Sequence, residues 1–140
     1  MQLLDHVSIG VPDLDIARRF YDAIMNALGA AKVYDLPHAL GYGARCTPQD
    51  AASTYVAVYL DQGPIGDNKR HWCFKAASRV QVDAFHAAGV AAGGRSDGPP
   101  GLRADYHPGY YAAFLHDPAG NRVEAVCHLV ARRPVCLSLH

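Results

Sequence analysis

Glutamate is almost missing from this 140-residue chain: of its 13 acidic residues, only Glu124 is a glutamate. Charge of one sign is missing too, since 13 Lys and Arg balance the 13 Asp and Glu. Without a block of Lys or Arg the chain has no electrostatic footprint for nucleic acid or anionic lipid, and the Arg132-Arg133 pair is too short to supply one. A small neutral or anionic molecule is therefore the expected partner. The four cysteines, Cys46, Cys73, Cys127 and Cys136, form no CxxC pair. The start, MQLLDHVSIGV, lacks the basic and apolar regions of a signal peptide, so free thiols in a cytoplasmic setting are the expectation. No apolar run approaches the roughly 20 residues needed to span a bilayer. Half of the residues are hydrophobic and Gly and Pro are scattered, which suits one globular domain able to bury a core without disulfides.

Periodicity assigns the first elements. Val7, Ile9 and Val11 alternate with His6, Ser8 and Gly10, the pattern of a half-buried strand. Asp13 then offers an N-cap, Ile16, Ala17, Phe20, Ile24, Ala27 and Leu28 recur at helical spacing, and Gly29 supplies a C-cap. Short strands are expected near 31–34, 39–45 and 54–60, followed by a turn-rich linker over 61–68. A second strand, 71–76, sets His71 and Cys73 opposite Trp72 and Phe74. Ser78 caps a helix bearing Val82, Phe85 and Ala88 that ends at Gly93-Gly94. Strands over 110–115 and 122–127 flank the Asp117-Pro118-Ala119-Gly120-Asn121 turn.

The second half repeats the first. His6 and His71, Phe20 and Phe85, and Gly29 and Gly94 each lie 65 positions apart, as do the caps Asp13 and Ser78. Strand, cap, helix and terminating glycine share one offset, the mark of an internal duplication. The expected fold is α+β: two tandem βαβββ modules, residues 1–62 and 69–128, in one domain over 1–128, with an extension over 129–140.

Equivalent positions turn two ordinary histidines into a pair. A lone strand histidine is more often a packed or surface residue than a ligand. His6 and His71, however, hold matching places in duplicated strands, and Glu124 sits among apolar neighbours with its side chain opposite Val123, Ala125 and Cys127. Together they make a 2-His-1-carboxylate set for one divalent metal, with coordination positions left open for substrate or water. Imidazole and carboxylate suit Fe, Mn, Zn, Ni and Co alike. His107 and the Tyr110-Tyr111 pair are candidate donors beside the metal, and of these His107 and Tyr111 join Glu124 as the catalytic candidates. His116 and His128 read as surface residues, and Cys73 as a small group lining the pocket.

The segments LDHVSIGVPDLDIARRFYDAIMNALG, HWCFKAASRVQVDAFHAAG and YYAAFLHDPAGNRVEAVCH resemble the vicinal oxygen chelate superfamily, which includes glyoxalase I, extradiol dioxygenases, fosfomycin resistance enzymes and bleomycin-binding proteins. DPAGNRVEA is the most specific stretch. The resemblance implies two modules whose strands form a curved mixed-sheet cup around the metal, with His6, His71 and Glu124 on the ligand positions. It implies a metal-dependent enzyme acting on a small oxygen-chelating substrate, a glyoxalase-like lyase or isomerase ahead of a dioxygenase, with a metal-free binding protein as the rival. Two departures bear on the reaction. Tyr59 stands 65 positions before Glu124, where glyoxalase I enzymes usually add a carboxylate ligand, and no histidine lies between His38 and His71, where extradiol enzymes place an acid–base histidine. A homodimer is expected from the sheet edges such modules leave. All three ligands are expected to converge within one chain, the alternative being a site shared between two subunits.

Overall fold

The structure, a computed structural model, describes residues 3–63 and 71–128. The later part of the linker, 64–70, and the extension 129–140 lie outside the described residues, as do Cys136 and Arg132-Arg133.

Each half is one βαβββ module. The first runs β1 (His6–Val11), α1 (Leu14–Leu28), β2 (Lys32–Leu36), β3 (Ala39–Gly43) and β4 (Tyr55–Leu60). The second runs β5 (His71–Lys75), α2 (Arg79–Ala91), β6 (Arg95–Leu102), β7 (Tyr111–His116) and β8 (Arg122–Cys127). The sheet orders are β1-β4-β3-β2 and β5-β8-β7-β6. In both, the helical crossover lets the first strand lie parallel to the last, β1 on β4 and β5 on β8, while the remaining pairs are antiparallel. The duplication read from the sequence is thus a duplication of topology. The result is two four-stranded mixed sheets, with no closed barrel.

Local chemistry sets the element ends. Asp13, extended at φ −136°, accepts from the Ile16 amide at 3.0 Å, and Ser78 does the same for Gln81. Gly29 closes α1 at φ +74°, a conformation glycine adopts without steric cost. Here the repeat slips by one. In α2 the left-handed glycine is Gly93, at φ +101°, whereas Gly94, the residue that matches Gly29 at offset 65, is required by space: a Cβ there would meet Phe20 Cε2 at 2.4 Å.

Strand β6 is the element that periodicity does not reveal. Its sequence, RSDGPPGL, reads as turn, yet it pairs with β7 through two register shifts. It is an edge strand, where proline need not donate to a neighbour, so Pro99 and Pro100 are tolerated.

The helices bind the modules together. α1 buries Leu14, Ala17, Phe20, Tyr21, Ile24 and Met25, while Ile16, counted on the apolar stripe from spacing, is 54% exposed. One core cluster joins Phe20, Tyr21 and Ile24 of the first module to Val82, Phe85 and Leu115 of the second. Gly89 makes this close approach possible, lying against Leu115, Ile24 and Phe20. A polar latch completes it: buried Asp117 accepts the Tyr21 hydroxyl at 2.7 Å, and Asn121 Nδ2 donates to Asp117 at 2.9 Å and to the Gly10 carbonyl at 3.0 Å. Asp117 also accepts the amides of Ala119 and Asn121, which fixes the DPAGN turn, and Gly120 takes φ +98° in it. Among the described residues no helix is long and apolar enough to cross a membrane.

Each sheet therefore has a helix face and an open face. In the second, Val123, Ala125, Cys127, Ala113 and Leu115 belong to the core shared with the helices. Ala112, Phe114 and Val126, with Tyr110, form a separate cluster on the other face. The register puts Glu124 there, between Cys73 on β5 and Phe114 on β7.

Candidate functional site

Glu124 is 2% exposed, and a carboxylate so buried is costly unless each oxygen is met by a donor. His71 Nε2 lies 3.2 Å from Oε1, and the Tyr110 hydroxyl donates to Oε2 at 2.5 Å. Adjacent parallel strands position the first pair: His71 opens β5, Cys73 is level with Glu124, and both share its face. The second comes from the 103–110 loop, whose ends are tied by Arg103 N–H to the Tyr110 carbonyl at 2.7 Å.

The surroundings of this pair are aromatic and imidazole-rich. Tyr106 packs on the Tyr110 ring at 4.8 Å, while His107 and His128 meet it edge-on at 5.5 and 5.4 Å. The Gly109 amide donates to His107 Nδ1 at 3.0 Å, so in the neutral ring the proton sits on Nε2 and is donated to His128 Nδ1 at 2.9 Å. Burial and the hydrogen bond to Glu124 raise the Tyr110 hydroxyl well above the usual tyrosine range. Burial, then the Glu124 charge, pushes the Cys73 thiol up to about 12. Cys73 is thus a protonated thiol at neutral pH, and the thiolate is the form that binds metals.

The structure separates the paired tyrosines that sequence reading could not. Tyr111 lies on the helix face, its hydroxyl donating to Asp83 and its ring under Arg79, 5.1 Å away. Tyr110, not the catalytic candidate Tyr111, reaches the carboxylate. His107 is drawn into the cluster, one ring removed from Glu124. His128, read as a surface residue, is exposed as expected and is its hydrogen-bond partner. His116 is buried rather than exposed, its Nε2 3.4 Å from Asp97.

His6 stands elsewhere. Its ring stacks on Tyr55 at 4.9 Å, Nδ1 meets Asp5 at 2.7 Å, and nearly half the side chain is exposed. The expected in-chain convergence of His6, His71 and Glu124 is absent: among the described residues, no three His, Cys, Asp or Glu side chains gather in a group that could hold a metal ion. The physical reason is the packing of the modules, which meet through α1 and α2 and the Asp117 latch, with no ladder joining β1 to β5. His71 and Glu124 themselves fit a shared ion. Donors at about 2.0–2.2 Å from a divalent metal lie roughly 3.0–3.4 Å apart in octahedral or tetrahedral geometry, which brackets their 3.2 Å separation. Among the described residues no third His, Cys, Asp or Glu joins this two-donor corner in a group that could hold a metal ion.

The Glyoxalase/Bleomycin resistance protein/Dioxygenase superfamily model matches residues 3–125. Among solved structures, a glyoxalase/bleomycin resistance protein from Albidiferax ferrireducens is 33% identical with TM-score 0.72, over 89% of this chain and 97% of that one. A glyoxalase-related enzyme from Fulvimarina pelagi is 21% identical with TM-score 0.66, over 91% and 88%. A glyoxalase/bleomycin resistance protein/dioxygenase family enzyme from Burkholderia phytofirmans is 20% identical with TM-score 0.64, over 89% and 98%. The last two likenesses are of fold. Among curated proteins no match is found.

Proposed function

Because the chain belongs to the Glyoxalase/Bleomycin resistance protein/Dioxygenase superfamily, we propose that it is a homodimeric metal-dependent enzyme, a glyoxalase-like lyase or isomerase acting on a small oxygen-chelating substrate. Its site is completed between two copies: His71 and Glu124 come from one subunit and His6 of the partner subunit supplies the third ligand. The observation that carries this reading is the His71–Glu124 corner, two metal-compatible donors 3.2 Å apart with the carboxylate buried. His6, at the equivalent position of the other module, is exposed and left outside it.

A divalent ion bound there would polarise adjacent substrate oxygens and stabilise the charge that develops on them. The chain's own groups do the rest. Tyr110 holds Oε2 and so aims Oε1 at the shared position. His107 and His128 pin the Tyr110 ring, and their ordered tautomers leave Nε2–H of His128 as a proton-bearing group at the rim.

The test mixes His6→Ala with Glu124→Gln subunits after each is shown by elemental analysis to have lost its metal. A shared site restores about a quarter of the wild-type metal per chain in a statistical equimolar mixture, since half of the dimers are mixed and each carries one intact site of two. No recovery sinks the shared site. Sedimentation showing only monomer at micromolar concentration does the same.

A metal-free binding protein is the second reading, and one observation favours it: the Tyr110 hydroxyl donates to one oxygen of Glu124 and His71 Nε2 stands 3.2 Å from the other, so the buried carboxylate is met on both sides without an ion. Metal titration of chelator-stripped protein separates the two. About one equivalent per chain supports the enzyme, and none supports the binding protein.

A further inference from the structure

Arg103 has no carboxylate partner among the described residues. Its guanidinium lies along the open face of the second sheet, where Nη2 donates to the Pro99 carbonyl at 2.8 Å and the group stands over the Phe114 ring at 5.6 Å. The backbone beneath is shaped to admit it. A Cβ on Gly98 would come within 3.2 Å of Nη2, and one on Gly101 within 3.1 Å of Nη1. Those glycines pair with Phe114 and Ala112, which fixes the guanidinium on the same face as Glu124.

The neighbouring charges are already answered. Arg122, on the same ring at 4.6 Å, is held by Asp97 at 2.6 Å, and Asp97 also faces His116. Glu124 has His71 and Tyr110. Of the five N–H groups of a guanidinium, Arg103 uses one, so four stand without an acceptor among the described residues in a fork suited to two oxygens. An arginine that only packed on Phe114 would need neither the glycine cradle nor a free fork.

The geometry points to Arg103 as an anion anchor: we infer that the small molecule handled on this face carries a carboxylate or phosphate, gripped by Arg103 while its other end lies at Glu124. The guanidinium stands over Phe114 on β7, and Phe114 is level with Glu124 on β8, so the anchor and the carboxylate border one stretch of the open face. The inference rests on the reading that substrate occupies this face, and not on the metal.

The test uses the full chain, with glutarate and inorganic phosphate as probes and neutral dimethyl glutarate as control. Binding is followed by calorimetry and by the side-chain Nε–H resonance of Arg103. Both anions should shift that resonance, the ester should not, and Arg103→Gln should weaken glutarate binding by about tenfold or more. Should Arg103→Gln unfold, Arg103→Lys, which keeps the charge and loses the fork, should still weaken it several-fold. Chelator-stripped wild-type protein should retain glutarate binding, so failure of the metal reading and failure of the anchor are seen separately. Equal binding in the Arg103 variants, equal binding of the ester, or no shift at tens of millimolar overturns the proposal.

Discussion

Gly89→Ala puts two effects of opposite sign at one position. In an exposed helix, replacing glycine by alanine gains about 1 kcal/mol because the unfolded chain loses freedom. Gly89, however, sits in α2 where α1 and β7 converge, and the new Cβ would meet Leu115 Cδ1 at 2.3 Å, Ile24 Cγ2 at 3.0 Å and Phe20 Cε2 at 3.3 Å. Carbon atoms rest at about 3.5–4.0 Å, so the first contact must open by more than 1 Å. All three neighbours are fully buried and have no solvent into which to retreat. Overpacking of this kind costs about 1–3 kcal/mol, and the absence of slack argues for the upper end. The net expectation is a loss of about 2 kcal/mol, or roughly 6 °C in Tm for a domain of this size. Urea and thermal unfolding of Gly89→Ala beside Ala87→Gly, an exposed site on the same helix that should lose about 1 kcal/mol, measure it. A Gly89→Ala protein as stable as the parent, or more so, would refute the reasoning that the module interface is closed at this glycine.

Other consequences are open to measurement. Tyr110→Phe leaves Oε2 of buried Glu124 without its donor and should cost about 1.5–3 kcal/mol, whereas Tyr111→Phe, at exposed Asp83, should cost under about 0.5 kcal/mol; the reverse order would mean the face assignment is wrong. With its thiol pushed up to about 12, Cys73 should be labelled by iodoacetamide at pH 8 more slowly than a free cysteine peptide, by about a hundredfold or more as read by mass spectrometry, and rapid labelling would contradict the pairing of this thiol with Glu124. Asp97 titrates below the usual aspartate range because Arg122 hydrogen-bonds it, so its contribution is present above the unfolded pKa and is lost as pH falls through the folded one. Stability should fall from about pH 4 downward, and this slope should be shallower in Asp97→Asn; an unchanged slope would show that the Arg122 pair is inert.

Much of this molecule was legible one residue at a time. Alternation named the helix face of β1, β5 and β8, because a strand half-buried against a helix must repeat every two residues. The caps Asp13 and Ser78 and the left-handed Gly29 mark helix ends by local hydrogen bonding and backbone sterics, which need no tertiary partner. The offset of 65 carried the module repeat, and with it the equivalence of His6 and His71. What remained hidden depends on neighbours distant in sequence. Strand β6 forms because β7 offers it an edge, although Gly98, Pro99 and Pro100 have no strand propensity of their own. The choice of Tyr110 over Tyr111 turns on which face of β7 each side chain meets, and its loop start obscures that parity. His116 looked like a surface residue beside a turn until Asp97 covered it. The largest departure concerns the ligands themselves: sequence determines that two histidines occupy matching strand positions and that one glutamate lies in the last strand, but which of them meet is decided by how the modules pack. Here the small residues Gly89 and Gly94 and the Tyr21–Asp117 bond seat α1 on α2, and that tertiary contact joins His71 to Glu124 while leaving His6 apart.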